Sequence, residues 1–241
     1  MNVLEVRGVS VHFGGLHVLD QVSFDVPGRT ITGVIGPNGA GKTTLFNVIT
    51  GFLRPVAGQV IHDGEPITGE TPERICRRGV ARTFQIARPF PRLTVRENVL
   101  VGALNRHLSP KAAHGLVDHV LRLAGLAAYA DRPTTDLPVG LRKRLEVARV
   151  LATQPRIVLL DEIMGGLLPG EVAEMMALVA ALPEQGITVV LIEHHMQALM
   201  ELSRHVVAIN QGRNLAQGTP AQIAAHPDVI TAYFGEEHSV A

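Results

Sequence analysis

A glycine-rich stretch, GPNGAGKT at residues 36–43, constrains this chain more than any other feature. It matches the pattern G-x-x-x-x-G-K-[ST] in full, with an apolar run at 31–35 before it and apolar residues at helical spacing after Lys42. Glycines let the backbone N–H groups of such a loop point inward at an anion, and the following helix adds the partial positive charge of its first turn. The sequence therefore predicts a phosphate-binding loop after a central strand.

A second apolar strand, predicted at 157–160, runs into two acids, Asp161 and Glu162. Two adjacent carboxylates at a buried edge cost desolvation unless a cation meets them. We expect Mg²⁺ to be that cation, with the Thr43 hydroxyl as a ligand and Asp161 holding the metal's water shell, while Lys42 reaches the phosphates. Glu162 would point toward the terminal phosphate and polarise a water. The alternative is an exposed strand end with two solvated acids.

Strand and helix patterns alternate along the chain, which predicts an α/β fold with a mainly parallel core sheet. Partly alternating stretches at 3–11 and 19–26 predict an N-terminal antiparallel β-subdomain. Strand signals vanish between about 86 and 140, where 111–129 reads as a helix, so we expect a helical insert. Residues 1–241 would form one domain, with a core at about 1–85 and 141–241 and a helical subdomain at about 86–140. Further strands are expected at 60–62, 188–192 and 206–210, and further helices from 71, at 141–151, 170–182 and 197–203, and from 219.

Composition excludes several classes of protein. The formal net charge is zero, so nothing draws the chain to nucleic acid in general. A single cysteine, Cys76, excludes an internal disulfide and favours a reducing cytosol. The N-terminal MNVLEVRGVS lacks the apolar core of a signal peptide, and no apolar run approaches the ~18–20 residues that span a bilayer. We expect a soluble chain that another component holds if it works at a membrane.

Beyond these arguments, nearly the whole chain resembles the ATP-binding subunits of ABC transporters, a family of P-loop NTPases. The family's marks occur in the right order: an aromatic residue upstream of the loop, TFQ at 83–85, a signature segment at 137–149, LLDE at 159–162 and LIEHHM at 191–196. The resemblance implies ATP and Mg²⁺ as cofactors. It implies that the nucleotide is cradled by Gly36, Pro37, Asn38, Gly39, Ala40, Gly41, Lys42, Thr43 and Thr44.

The resemblance also implies roles for single residues. Phe13 would stand against adenine, although one aromatic residue in a strand also fits a core position. Gln85 would contact Mg²⁺ and the attacking water. His194 would approach the γ-phosphate; His195 beside it leaves the choice open, and the frame E-H-x-M favours His194. Catalysis would then rest on Glu162, with Gln85 and His194.

The signature segment departs from the family's Leu-Ser-Gly-Gly-Gln, since residues 137–141 read LPVGL. In the family this segment caps the ATP held by a second subunit, through helix N-terminal N–H groups and a serine hydroxyl. Val139 and Gly140 keep the backbone contribution. Pro138 has neither a hydroxyl nor an N–H, and Leu168 replaces a further aspartate. These changes bear on the efficiency of the closed dimer and leave ATP binding intact.

Within the family, GVARTFQIARPFPRLTVRENVLVGA, RLEVARVLATQP and HPDVITAYFGE resemble importers of branched-chain amino acids. This resemblance implies an ATPase subunit that powers uptake of those or related small polar solutes. Its partners would be membrane permease subunits, a second ATPase subunit (identical or not) and, indirectly, a periplasmic solute-binding protein, with no nucleic acid. The chain would be cytoplasmic, peripheral on the inner face of the plasma membrane.

Two alternatives remain open: a non-transport ABC ATPase acting on ribosomes or DNA, and a regulatory cassette that binds ATP but barely turns it over. The basic cluster Arg74, Arg77, Arg78 and Arg82 is expected to be a solvated helix face or a contact with a membrane-domain loop.

Overall fold

The computed structural model describes residues 2–83, 89–106 and 109–234. The strands are β1 (Asn2–Phe13), β2 (Leu16–Pro27), β3 (Ile31–Ile35), β4 (Ala57–His62), β5 (Glu65–Pro66), β6 (Val80–Arg82), β7 (Ile157–Asp161), β8 (Thr188–Ile192), β9 (His205–Asn210) and β10 (Arg213–Gly218). The helices are α1 (Lys42–Ile49), α2 (Pro72–Arg77), α3 (Val95–Ala103), α4 (Pro110–Leu123), α5 (Val139–Leu151), α6 (Pro169–Ala181), α7 (Met196–Leu202), α8 (Pro220–Ala224) and α9 (Pro227–Phe234).

Six strands form the central sheet, in the order β10-β9-β3-β8-β7-β6. All neighbours run parallel except the pair β9 and β10. Every residue of β3, β7 and β8 is buried, because both faces of a parallel sheet are covered. The mainly parallel sheet and the interior position of the strand before the phosphate loop are confirmed.

A second, antiparallel sheet has the order β2-β1-β4-β5. Its apolar side chains pack with α1 and one face of the central sheet into a common core, as Val6, Phe46 and Leu159 illustrate. The opposite face of the central sheet packs against the helices, so that Leu160, next to Leu159, belongs to a second core with α3 to α7. The predicted N-terminal antiparallel sheet is confirmed.

Between residues 89 and 140, the described part of the chain holds helices, 3₁₀ turns and one isolated bridge, Thr94 to Pro133. The Thr94 hydroxyl and the Glu97 carboxylate cap α3 reciprocally. The helix predicted over 111–129 is too long, because α4 ends at Leu123. Gly125 follows with φ of +67°, a left-handed conformation that terminates a helix.

Strands β6 and β10 were not predicted from the sequence. Strand β6 has only three residues, and β10 is an edge strand with half-exposed, largely polar residues, so neither shows an apolar pattern. The single last helix predicted after Thr219 is two helices, α8 and α9. Among the helices of the described ranges, none has the length and apolarity to cross a bilayer.

Candidate functional site

The phosphate loop joins β3 to α1, and neighbouring strands leave no room for a side chain at two of its glycines, Gly36 and Gly41. A Cβ at Gly36 would lie 2.1 Å from the carbonyl oxygen of Ile209 in β9. A Cβ at Gly41, where φ is +103°, would lie 2.8 Å from the carbonyl oxygen of Val18 in β2. A side chain at either position would thus collide with the protein itself, in addition to any phosphate. Gly39 has φ of +81° and open space around it.

Lys42 opens α1 and turns back into the loop. Its Nζ donates to the carbonyl oxygens of Gly36 at 2.6 Å and Pro37 at 3.0 Å. Burial lowers the pKa of Lys42, while Glu162 and Asp161 act to raise it. The ammonium group therefore lies against the loop, near enough to the two acids for their charges to act on it, and is available to a phosphate group bound there.

Asp161 ends β7 and is 2% exposed, and its ion-pair partner is Arg82 of β6, with 3.0 Å between the guanidinium and Oδ2. Arg82 also donates to Asn47 Oδ1 at 2.7 Å and to the Thr83 carbonyl oxygen at 3.2 Å. The sequence-based grouping of Arg82 with the exposed arginines of α2 is therefore wrong, since Arg82 is buried. It is also the cation that meets Asp161 in this structure.

Burial raises the pKa of Asp161, and the Arg82 guanidinium opposes that rise. Thr43 and Asp161 line one cavity of about 870 Å³. A hydroxyl and a carboxylate are hard oxygen donors of the kind that Mg²⁺ prefers. Arg82 bonds one carboxylate oxygen, Oδ2, and a carboxylate offers two. The residues present therefore fit a magnesium ion held together with phosphate groups.

Glu162 and His194 face each other beyond the ends of β7 and β8. His194 Nε2 lies 2.8 Å from Glu162 Oε1, and the imidazole is 55% exposed. The neighbouring His195 has a different task, because its Nδ1 accepts a hydrogen bond from the backbone N–H of Ala198 at 3.3 Å and caps α7. The two histidines that the sequence left ambiguous are thus separated by their contacts.

The first turn of α5 carries Val139 and Gly140, with Pro138 at the N-cap. Val139 is 56% exposed. Gly140 is covered by an acid of α6, since a Cβ there would lie 2.4 Å from Oε1 of Glu171. The carboxylate of Glu171 also accepts from the backbone N–H of Leu168 at 2.9 Å. A negative charge already stands beside this helix start, which the sequence did not reveal.

The remaining predicted residues fall in different places. Phe13 ends β1 and is 54% exposed, so the core alternative is wrong and the ring is accessible. Asn38 and Thr43 are exposed, Pro37 and Thr44 are half-buried and Ala40 is buried. Gln85 lies outside the described residues.

The C-terminal segment also reaches the loop. The Gly212 N–H donates to the carbonyl oxygen of Ala40 at 3.1 Å, and the carbonyl oxygen of Gly212 accepts from the Asp20 N–H at 2.8 Å. Burial raises the pKa of Tyr233 in α9, while a hydrogen bond with the Gly36 backbone acts to lower it. The sequence holds no signal for these contacts, because they join residues from opposite ends of the chain.

Comparison with known proteins adds independent findings. The sequence model of the ABC transporter family matches residues 19–165, and that of the branched-chain amino acid ATP-binding cassette transporters matches residues 213–239. The high-affinity branched-chain amino acid transport ATP-binding protein BraF of Pseudomonas aeruginosa is 44% identical, over 97% of this chain and 98% of that protein. LivG of Escherichia coli K12, with the same description, is 40% identical over 97% and 98% of the two chains. The crystal structure of a nucleotide-free ATP-binding cassette from an ABC transporter superposes with a TM-score of 0.88, at 32% identity, covering 98% of this chain and all of that one.

Proposed function

Because the chain belongs to the ABC transporter family, we propose that it powers an importer of branched-chain amino acids or related small polar solutes. ABC cassettes bind and hydrolyse ATP, and the chain is an ATPase of this kind. The observation that carries the proposal is the convergence of three groups at one edge of the sheet. The phosphate loop, Asp161 and the Glu162–His194 pair all follow the carboxyl ends of the neighbouring strands β3, β7 and β8.

The nucleotide would lie against residues 36–44, with its phosphates on the loop N–H groups, Lys42 and the first turn of α1. The exposed ring of Phe13 would stand against adenine. Thr43 and Asp161 would hold Mg²⁺, which supplies neutralisation of the charge on the phosphates when bound. The ion pair with Arg82 keeps the Asp161 carboxylate in position.

Hydrolysis would depend on Glu162 as the general base that takes a proton from the attacking water. His194, 2.8 Å from the Glu162 carboxylate, would orient that carboxylate and reach the γ-phosphate. Gln85 would contact the metal and the water. The first turn of α5, with Val139 and Gly140, would cap the ATP of a second ATPase subunit, identical or not.

The other partners would be membrane permease subunits and, through them, a periplasmic solute-binding protein. The large cavity beside Asp161 continues to the exposed apolar side chains of Phe52 and Val101, which offer a surface for a permease segment. We place the helical subdomain at about 86–140 and the core at about 1–85 and 141–241. The protein would work on the cytoplasmic face of the plasma membrane. The similarity to transport proteins disfavours the non-transport alternative.

The replacement of Glu162 by glutamine tests the assigned chemistry. An amide cannot take the proton, so we expect ATP binding to persist while hydrolysis falls by ~10²–10⁴-fold. Glu201→Gln is the matched control, because Glu201 is an exposed acid on the same cavity of about 580 Å³ as Glu162. Nucleotide affinity and turnover are measured on the same preparations. A Glu162→Gln protein that hydrolyses ATP at the wild-type rate would contradict the proposal.

Import itself needs a separate measurement. The chain is co-expressed with candidate permease subunits, reconstituted in proteoliposomes and tested for ATP-driven uptake of labelled leucine, isoleucine and valine. If an unlabelled polar solute outside this class inhibits the uptake as strongly as leucine does, the assigned solute is wrong. The assignment of ATPase activity would not be affected.

A further inference from the structure

Lys143 reaches from α5 to the turn that follows β7. Its Nζ donates to the backbone carbonyl oxygen of Glu162 at 3.0 Å. A Cβ at Gly165 would lie 3.7 Å from the same Nζ and 3.7 Å from the Glu162 carbonyl oxygen. The ammonium group therefore lies directly over the turn 162–165.

That turn has an unusual conformation. Glu162 has φ of +51°, which residues other than glycine rarely adopt and which persists only where the surroundings hold it. Two contacts hold the turn from the end of β8: the Glu162 N–H donates to Ile192 O at 2.9 Å, and the Met164 N–H donates to Glu193 Oε1 at 2.7 Å. The Lys143 contact holds it from the opposite side, from α5.

Three carboxylates act on the lysine. Burial lowers the pKa of Lys143, while Glu193, Glu146 and Glu162 act to raise it. Glu193 is 4% exposed, and Glu146 is also buried. The three carboxylates thus oppose the effect of burial on the ammonium charge. A methionine of similar length would remove that charge and the hydrogen bond to the Glu162 carbonyl oxygen.

We propose that Lys143 is a positioning residue that fixes the Glu162 carboxylate for hydrolysis by holding the Glu162 backbone. This inference rests on the proposed role of Glu162. Lys143 lies one turn beyond Val139 and Gly140, so the helix that caps the partner's ATP also carries the group that holds Glu162 of its own site. Movement of α5 onto one nucleotide would thereby adjust the carboxylate at the other.

The test uses Lys143→Met and Lys143→Arg. Lys111→Met is the control, because Lys111 is an exposed lysine on α4. The packing of α5 through Leu145, Ala148 and Leu151 does not involve the Lys143 amine, so the helix should stay docked. Since small misplacements of a catalytic group are costly, we expect Lys143→Met to lower kcat about tenfold or more. The ATP KM should stay within about twofold, because nucleotide contacts are intact. Lys143→Arg should restore part of the rate, and Lys111→Met should match the wild type.

A double variant separates positioning from a general structural effect. If Lys143 acts through Glu162, Lys143→Met should cause no further loss in a Glu162→Gln background. An equal loss in both backgrounds, or a Lys143→Met protein with the wild-type kcat, overturns the inference while the role of Glu162 stands. A Glu162→Gln protein with the wild-type rate overturns both.

Discussion

Replacing Arg82 by methionine tests the buried ion pair below the phosphate loop. Methionine keeps the aliphatic bulk but has no donor. Asp161 Oδ2, Asn47 Oδ1 and the Thr83 carbonyl oxygen would each lose the hydrogen bond that Arg82 now makes. At 2% exposure, Asp161 has little access to water in its place. Removing one member of a buried pair leaves an uncompensated charge, so we expect the free energy of unfolding to fall by about 3–5 kcal/mol.

A surface pair provides the control. Arg78 donates to both carboxylate oxygens of Glu70, at 2.9 and 2.7 Å, but its side chain is exposed. Solvent screens that pair, so Arg78→Met should cost much less stability. Urea unfolding of both variants and the wild type, at one pH and one salt concentration, gives the comparison. An Arg82→Met protein no less stable than Arg78→Met would refute the reasoning.

The loss of stability caused by Arg82→Met should also depend on pH. Burial raises the pKa of Asp161 and Arg82 opposes this, so removing Arg82 should raise that pKa further. When the pKa of a carboxyl group is higher in the folded than in the unfolded state, the protein loses stability as pH rises from the unfolded-state pKa to the folded-state pKa. The penalty of Arg82→Met is therefore complete above the raised pKa and shrinks as pH falls. The difference in unfolding free energy between the variant and the wild type should therefore narrow as pH falls from neutral toward acid.

Three other changes are informative. Lys42→Ala should abolish ATP binding or weaken it severely, because phosphate charge is left uncompensated; titration with a fluorescent ATP analogue measures this. Pro138→Ser in a Glu162→Gln background should tighten ATP-dependent dimerisation about tenfold by adding one hydroxyl-to-phosphate hydrogen bond. Gel filtration over a dilution series tests it, and an unchanged dimer dissociation constant would mean that the backbone N–H groups of α5 suffice. Burial raises the pKa of Glu193, so the wild type loses stability as pH rises through that pKa. Glu193→Gln should therefore melt at a higher temperature than the wild type at pH 8, by a margin that closes toward acid pH, and a margin that widens there would contradict this.

Much of the central sheet could be predicted because its strands are continuous apolar runs. Strands β3, β7 and β8 are buried on both faces, and a strand of this kind is recognised in the sequence as a short, mostly apolar run. Strands β6 and β10 could not be predicted. The first has three residues and includes Arg82, and the second is an edge strand whose half-exposed residues need no apolar pattern.

The candidate site likewise has parts that the sequence predicts and parts that it does not. The phosphate loop and the acids Asp161 and Glu162 are local sequence patterns and were predictable. Their partners were not, because Arg82 is 79 residues from Asp161 along the chain and looks like a surface arginine beside others. The cover that Glu171 gives Gly140 likewise joins two separate helices. Charged residues that tertiary packing brings together cannot be recognised from the spacing of residues in the sequence.

The contact between Gly212 and Ala40 has a consequence for how the protein is made. The turn between β9 and β10 supports the nucleotide loop from the far end of the chain, and Asn214 Oδ1 accepts the Ser23 N–H across a sequence separation of 191 residues. Contacts of such high sequence separation require the closure of a very long loop, which slows folding. A ribosome must therefore have released the chain as far as Gly212 before the loop near residue 40 acquires this backbone hydrogen bond. Until the turn between β9 and β10 has emerged, a nascent chain has a nucleotide loop without that support.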